Sequence, residues 1–248
     1  MLSIVIPVRN ESENIRPTLQ NLANALNTSA EILIVYDDES DTTIPVVKLL
    51  NAGPWGEYRL VRNTSGRGPA NAIKAGFAAA RGEAVIVMMA DMSDDVRSLG
   101  SMIDRFHNGY DLVSGSRYMP GGEQVGGPWL KGKLSRMAGF SLNVLGLPTH
   151  DATNSFKLYR TARLNSLSLE SSGGFEINLE ITAKAWEAGW RITEVPSRCA
   201  DRVAGKSNFK LLRWLPRYLR WYAYAVAVAA RVRLSPIDQP FGLDRRDR

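Results

Sequence analysis

Four polar clusters recur along the first 120 residues, each placed directly after a short run of β-branched and other apolar residues. They are Arg9-Asn10-Glu11, Asp37-Asp38-Glu39-Ser40-Asp41, Asp91-Met92-Ser93-Asp94-Asp95 and Ser116-Arg117-Tyr118. Two common phosphate loops are excluded at once, because the first cluster contains neither Gly-x-Gly-x-x-Gly nor a Gly-Lys-Ser/Thr ending. Carboxylates dominate instead. They suit a divalent cation and ribose hydroxyls better than bare phosphate.

The elements that must position these clusters read clearly. Ser3 to Val8, Glu31 to Tyr36, Tyr58 to Val61, Ala84 to Met89 and Asp111 to Ser114 are expected strands. Between them, Ile15, Leu19, Leu22 and Leu26 recur at helical spacing, and Ala70 to Ala80 is a second helical stretch. Alternating strand and helix implies an α/β fold with a Rossmann-like, mostly parallel central sheet and helices on both faces. Ligands of such sheets bind beyond the carboxyl ends of the strands, where the polar clusters fall. After residue 120 a Gly-rich loop leads into expected helices over Met137 to Leu147, Phe175 to Glu187 and Pro216 to Ala230, the last opened by Pro216.

The chain resembles the family 2 glycosyltransferases of GT-A fold, and most closely their polyprenyl-phosphate (dolichol-phosphate mannose synthase-like) branch. The motifs that carry the resemblance run in order over about residues 3 to 210. They are Ile6-Pro7-Val8-Arg9-Asn10-Glu11, Asp37-Asp38-Glu39-Ser40-Asp41-Thr42, Gly66-Arg67-Gly68-Pro69-Ala70, Gly115-Ser116-Arg117-Tyr118 with Gly121-Gly122, Asp151-Ala152-Thr153-Asn154-Ser155-Phe156-Lys157, Glu194-Val195-Pro196, and Asp201-Arg202 with Gly205-Lys206-Ser207. The resemblance implies an inverting hexosyltransferase that takes its sugar from a GDP-mannose or UDP-glucose type of donor, with Mg²⁺ or Mn²⁺ as cofactor and a polyprenyl phosphate as acceptor. It assigns donor contacts to Pro7, Arg9, Glu11, Asp38, Lys74 and Ala90, and the metal to Asp91. Met89 stands where the family usually has the first acid of Asp-x-Asp. Either Asp94 or Asp95 supplies a second carboxylate, or the two only cap a helix starting near Val96. Arg117, Lys131 or Lys133, Arg202 and Lys206 fall where the family places its phosphate-binding cations. Asn208 replaces a frequent Lys, with Lys210 as the substitute.

Two other functions compete. Transfer to a sugar hydroxyl in polysaccharide synthesis needs a carboxylate base, for which Asp151 or Glu180 qualifies. A non-catalytic nucleotide-sugar-binding protein is the reading that Met89 invites. His107 and His150 are weak candidates for acid–base work.

Length, 248 residues, and composition, 44% hydrophobic and 23% charged, exclude fibrous and disordered classes. The net charge of +6 is unevenly spread: 20 basic residues meet 21 acidic ones up to residue 200, whereas 201–248 hold 11 against 4. A boundary is therefore expected at 210, with a catalytic domain over 1–210 and a basic amphipathic helix with a frayed tail over 211–248. Arg213, Arg217 and Arg220 beside Trp214, Tyr218 and Trp221 suit contact with an anionic membrane surface, and core packing of the same stripe is the alternative. No nucleic-acid motif is present. Cys199 is the sole cysteine, which excludes an internal disulfide. The N-terminus lacks signal-peptide character, and the expected location is cytoplasmic, peripheral at the inner face of the membrane.

Overall fold

A computed structural model describes residues 1–50, 52–127, 129–200 and 211–234. In chain order the elements are β1 (Leu2–Pro7), α1 (Ile15–Ala25), β2 (Ala30–Tyr36), α2 (Thr43–Leu50), β3 (Ala52–Gly53), β4 (Gly56–Glu57), β5 (Arg59–Arg62), α3 (Pro69–Ala79) and β6 (Ala84–Val87). There follow a short 3₁₀ turn (Val96–Ser98), α4 (Leu99–His107), β7 (Leu112–Ser116), β8 (Glu123–Gln124), α5 (Trp129–Val144), β9 (Lys157–Arg160), α6 (Thr161–Leu164), α7 (Ile177–Glu187), β10 (Ile192–Pro196), β11 (Arg198–Cys199) and α8 (Leu211–Leu234).

Seven strands form one sheet in the order β10-β7-β9-β6-β1-β2-β5, and every pair is parallel except those made by β9. Near-continuous apolar strands are what a sheet covered on both faces requires. Alternation along β1 divides the core: Val5, with Leu33, Val35, Val85 and Val87, packs under α3, α7 and α8. Ile4 and Ile6, with Ile32, Ile34 and Ile86, pack under α1, α2 and α4. The chain passes from β1 outward to β2 and β5, then returns to place β6 on the other side of β1. The strand order therefore reverses between β1 and β6, which is where sheets of this kind bind their ligands.

Several expected boundaries move. The third helical stretch begins at Trp129 rather than Met137 and ends at Val144. Pro216 lies inside α8 instead of opening it. An interior proline costs a helix about 3 kcal/mol. Here tertiary packing offsets that cost, since Trp221, Ala225, Val228 and Ala229 of α8 are buried in the core beside α7. Three arginines of α8 whose side chains are described are neutralised within the protein: Arg217 faces Glu176 at 3.9 Å, Arg220 pairs with Glu170, and Arg231 meets Glu187 at 2.5 Å. Of the two uses expected for this stripe, the described part of α8 is engaged in packing. The compositional boundary at 210 falls within 201–210, outside the described residues, as do Arg202, Lys206, Asn208 and Lys210; the side chain of Arg213 is likewise not described.

Helix α5 lies tightly on the segment before β9. A Cβ on Gly139 would stand 2.0 Å from the carbonyl oxygen of His150, a backbone atom that cannot swing aside. Gly139→Ala is therefore expected to destabilise the protein by about 1–3 kcal/mol, the range for overpacking. A thermal melt checks this, and an unchanged midpoint would contradict the close approach.

Candidate active site

The loop after β1 is fastened to the loop after β2. Asn10 adopts a left-handed conformation (φ 57°), which asparagine tolerates better than most residues, and its N–H donates to both oxygens of Asp41 at 3.1 Å. The N–H of Glu11 donates to Thr43 Oγ1 at 2.9 Å, and Asn14 donates to the Glu11 carboxylate at 2.7 Å. Asp41 is buried and also accepts the Thr43 N–H at the start of α2, so its role is to hold these loops together. Asp37 likewise joins elements, accepting from Asn63 (2.7 Å) and from the Gly68 N–H (2.9 Å) where α3 begins.

Asp38 is different. It accepts from the Ser40 N–H and hydroxyl and pairs with the exposed Arg67. The Ser40 bonds hold its carboxyl below the usual value. With Pro7 half-buried at the end of β1 and Arg9 exposed beside it, Asp38 forms an open rim over β1 and β2. Lys74, half-buried on α3, is tied to this rim by no described bond.

Asp91 occupies the switch point, four residues beyond the end of β6. Ala90 is pinned when its carbonyl accepts the Thr18 hydroxyl at 2.7 Å. Met92 then turns left-handed (φ 60°), and the Ser93 N–H donates to Asp91 Oδ1 at 3.2 Å. The Asp94 carboxylate folds back to accept the Met89 N–H at 2.7 Å. Burial pushes the Asp94 carboxyl up to about 7, and the neighbouring Asp91 adds to the rise. Asp95 instead caps the 3₁₀ turn, accepting the Arg97 N–H at 3.2 Å and pairing with its side chain. The two aspartates that the sequence left equivalent thus separate: Asp95 caps, and Asp94 joins Asp91.

The two carboxylates beyond the end of β6 are hard oxygen donors, and they fit a Mg²⁺- or Mn²⁺-sized ion that keeps several waters. Among the described residues no group of three or more His, Cys, Asp or Glu side chains forms a complete protein cage. The remaining ligands would then come from water and from the bound substrate.

Arg117, at the end of β7, is held from three directions. Its backbone N–H and Nε both donate to Asp151 Oδ2, at 3.1 and 2.6 Å, and Nη2 donates to Oδ1 at 2.8 Å. Nη2 also approaches Ser135 (3.2 Å) and Thr153 (3.3 Å), linking α5 to the loop before β9. Burial alone would raise the Asp151 carboxyl, but the charge and hydrogen bonds of Arg117 outweigh it and hold the group below its usual range. Lys157, also fully enclosed, donates to the carbonyls of Ala152 and Asn154, and burial brings its ammonium down to about 7.

Beside Arg117 opens a cavity of about 420 Å³, with Tyr118, Trp129, Lys133 and Arg136 among its walls. The Arg117 guanidinium stacks 4.8 Å from the Tyr118 ring centroid, and Arg136 approaches the same ring at 5.9 Å. Lys131 is half-buried on the same helix. Sequence reasoning missed Ser135 and Arg136 and gave Thr153 no role beyond its motif, because their roles depend on α5 folding back over β7. Glu180 accepts from the Glu170 and Ser171 N–H groups and from Lys184, which makes it a brace inside α7. His150 is paired with Glu194 at 2.5 Å.

The model of glycosyl transferase family 2 matches residues 3–167. The polyprenol monophosphomannose synthase of Mycolicibacterium smegmatis is 31% identical over 227 residues, 85% of this chain and 85% of that protein. The dolichol-phosphate mannosyltransferase of Pyrococcus furiosus is 29% identical over 233 residues, covering 89% of this chain but 64% of that longer protein. Among solved structures, glucosyl-3-phosphoglycerate synthase from Mycobacterium tuberculosis, in complex with Mn²⁺, UDP and glucosyl-3-phosphoglycerate, superposes with a TM-score of 0.68 over 93% of this chain and 80% of that one. At 14% identity that likeness speaks to the GT-A fold alone. With a strand-order reversal between β1 and β6, carboxylates following β6, a buried arginine at the end of β7, and a family model that matches two thirds of the sequence, the chain belongs to glycosyl transferase family 2.

Proposed function

We propose that the protein is an inverting, metal-dependent hexosyltransferase that moves sugar from a nucleotide diphosphosugar of GDP-mannose or UDP-glucose type to a polyprenyl phosphate, working peripherally at the inner face of a membrane. The observation that carries this reading is the state of Asp151. A hydroxyl acceptor needs a carboxylate base, whereas Asp151 is bound to Arg117 through both oxygens. A phosphate acceptor is already anionic and needs cations, which the adjoining cavity supplies as Lys133 and Arg136.

In this reading the rim of Pro7, Arg9, Glu11 and Asp38 orients the nucleotide. Asp91 and Asp94 would hold the divalent cation, which when bound neutralises the diphosphate leaving group. An acceptor phosphate oxygen, oriented in the cavity, attacks the anomeric carbon from the face opposite the diphosphate. The new carbon–oxygen bond forms as the bond to the diphosphate breaks through an oxocarbenium-like transition state. Arg117 acts chiefly by fixing the floor of the cavity. Arg202 and Lys206 complete the cation set in the resemblance and lie outside the described residues.

Incubation with a panel of GDP- and UDP-sugars, a short-chain polyprenyl phosphate and Mg²⁺ or Mn²⁺ tests the proposal. Equal amounts of nucleoside diphosphate and glycosyl polyprenyl phosphate are expected. Product formed only on glycan acceptors would overturn it in favour of hydroxyl transfer, and binding with no nucleoside diphosphate release would leave a binding protein.

A further inference from the structure

Surface helices ordinarily turn polar residues outward. On α5 the outward arc is apolar: Trp129, Met137, Phe140 and Val144 are 62–70% exposed, with Leu130 and Leu134 also exposed. At 100° per residue these six side chains fall on one side of the helix, with Lys133 among them and Arg136 at the edge, while Gly139 and Leu142 are buried on the other side. A contiguous apolar patch of this kind marks an interaction surface.

Charge selects the partner. Residues 129–144 contain Lys131, Lys133 and Arg136 and no acidic residue. Lys133 sits 4.8 Å from the Trp129 ring centroid, an indole–cation pair of the sort that settles at a lipid headgroup boundary. A second copy docked on this face would bring like charges together. Their pairings with glutamates leave Arg217, Arg220 and Arg231 of α8 less able to bind anions.

We infer that α5, rather than α8, lies on an anionic lipid surface, with Trp129, Met137, Phe140 and Val144 entering the interfacial layer and Lys133 and Arg136 meeting the phosphate headgroups. The inference draws its purpose from the lipid-phosphate reading above. Trp129, Lys133 and Arg136 are also walls of the 420 Å³ cavity, so an acceptor anchored by its chain would reach that cavity from the surface on which the helix rests. Long basic side chains reach headgroups while their stems stay on apolar ground.

Co-sedimentation with vesicles of phosphatidylcholine and phosphatidylglycerol in equal parts, against phosphatidylcholine alone, tests this. The full chain is expected to bind the anionic vesicles selectively. Met137→Asp with Val144→Asp should weaken binding by at least about tenfold, and Phe140→Ser, which adds no charge, by about threefold, whereas Leu219→Asp on α8 should change it by less than about twofold. In the double variant, transfer to a short soluble polyprenyl phosphate should persist while transfer to a long-chain acceptor in vesicles falls. Equal binding to neutral vesicles, no binding at all, or loss in Leu219→Asp alone would overturn the inference. So would a dimer that the α5 variants dissociate while vesicles bind none of the proteins. Vesicle binding that follows the predicted pattern without transfer to any polyprenyl phosphate would support the docking face and sink the acceptor reading.

Discussion

Replacing Asp91 with alanine is expected to lower transfer about a thousandfold with every nucleotide sugar, equivalent to about 4 kcal/mol of lost transition-state stabilisation. Asp91 lies at the strand-order reversal, and Met89 leaves it without the acid that precedes it in related enzymes. The Asp94 carboxylate is folded onto the Met89 N–H, so it is placed to assist rather than to replace Asp91. Asp94→Asn keeps an acceptor for that N–H and is expected to raise the Mn²⁺ concentration needed for half-maximal rate without abolishing turnover. Initial rates across a Mn²⁺ titration check both variants. Full activity in Asp91→Ala would remove the metal assignment.

The second large effect is on stability. Asp151→Asn leaves the nearly buried Arg117 guanidinium without its counter-charge, and breaking such a pair from one side costs about 3–5 kcal/mol. For a chain of this length the melting midpoint should fall by roughly 10 °C. Because the folded Asp151 carboxyl titrates below its unfolded value, its contribution is complete above about pH 4 and is lost as pH falls through the folded value. The stability gap between wild type and Asp151→Asn should therefore narrow in acid, as thermal melts across a pH series would show. An unchanged melt together with abolished turnover would instead make Asp151 a base and favour a hydroxyl acceptor.

The α/β alternation was legible because β1, β2 and β6 are buried on both faces and are therefore nearly all apolar. Asp38 and Asp91 could be singled out because they follow β2 and β6 by two and four residues. What the sequence could not resolve were choices between neighbours of one type. Asp41 and Asp38 read alike until Asn10 and Thr43 are seen to occupy Asp41. Asp94 and Asp95 separate only when one chain direction meets the Met89 N–H and the other the Arg97 N–H. The basic stripe of α8 left two uses open for a related reason: the partners Glu170, Glu176 and Glu187 lie 41 to 50 positions from their arginines and become neighbours only when α7 and α8 pack together.

Strand β9 runs against its neighbours, with Lys157 opposite Val87 and Arg160 opposite Ala84. In a parallel strand the segment that follows is delivered to the crevice; in β9 it is the segment that precedes. That reversal gives Asp151, Thr153 and Asn154 a position at the working end, and sends Thr161 and Arg163 to the back of the molecule. Tolerance to substitution should therefore run in opposite directions on either side of β9 and β7: permissive after one, permissive before the other. A saturation scan through 147–164 would trace this as a mirror image of the profile through 108–120.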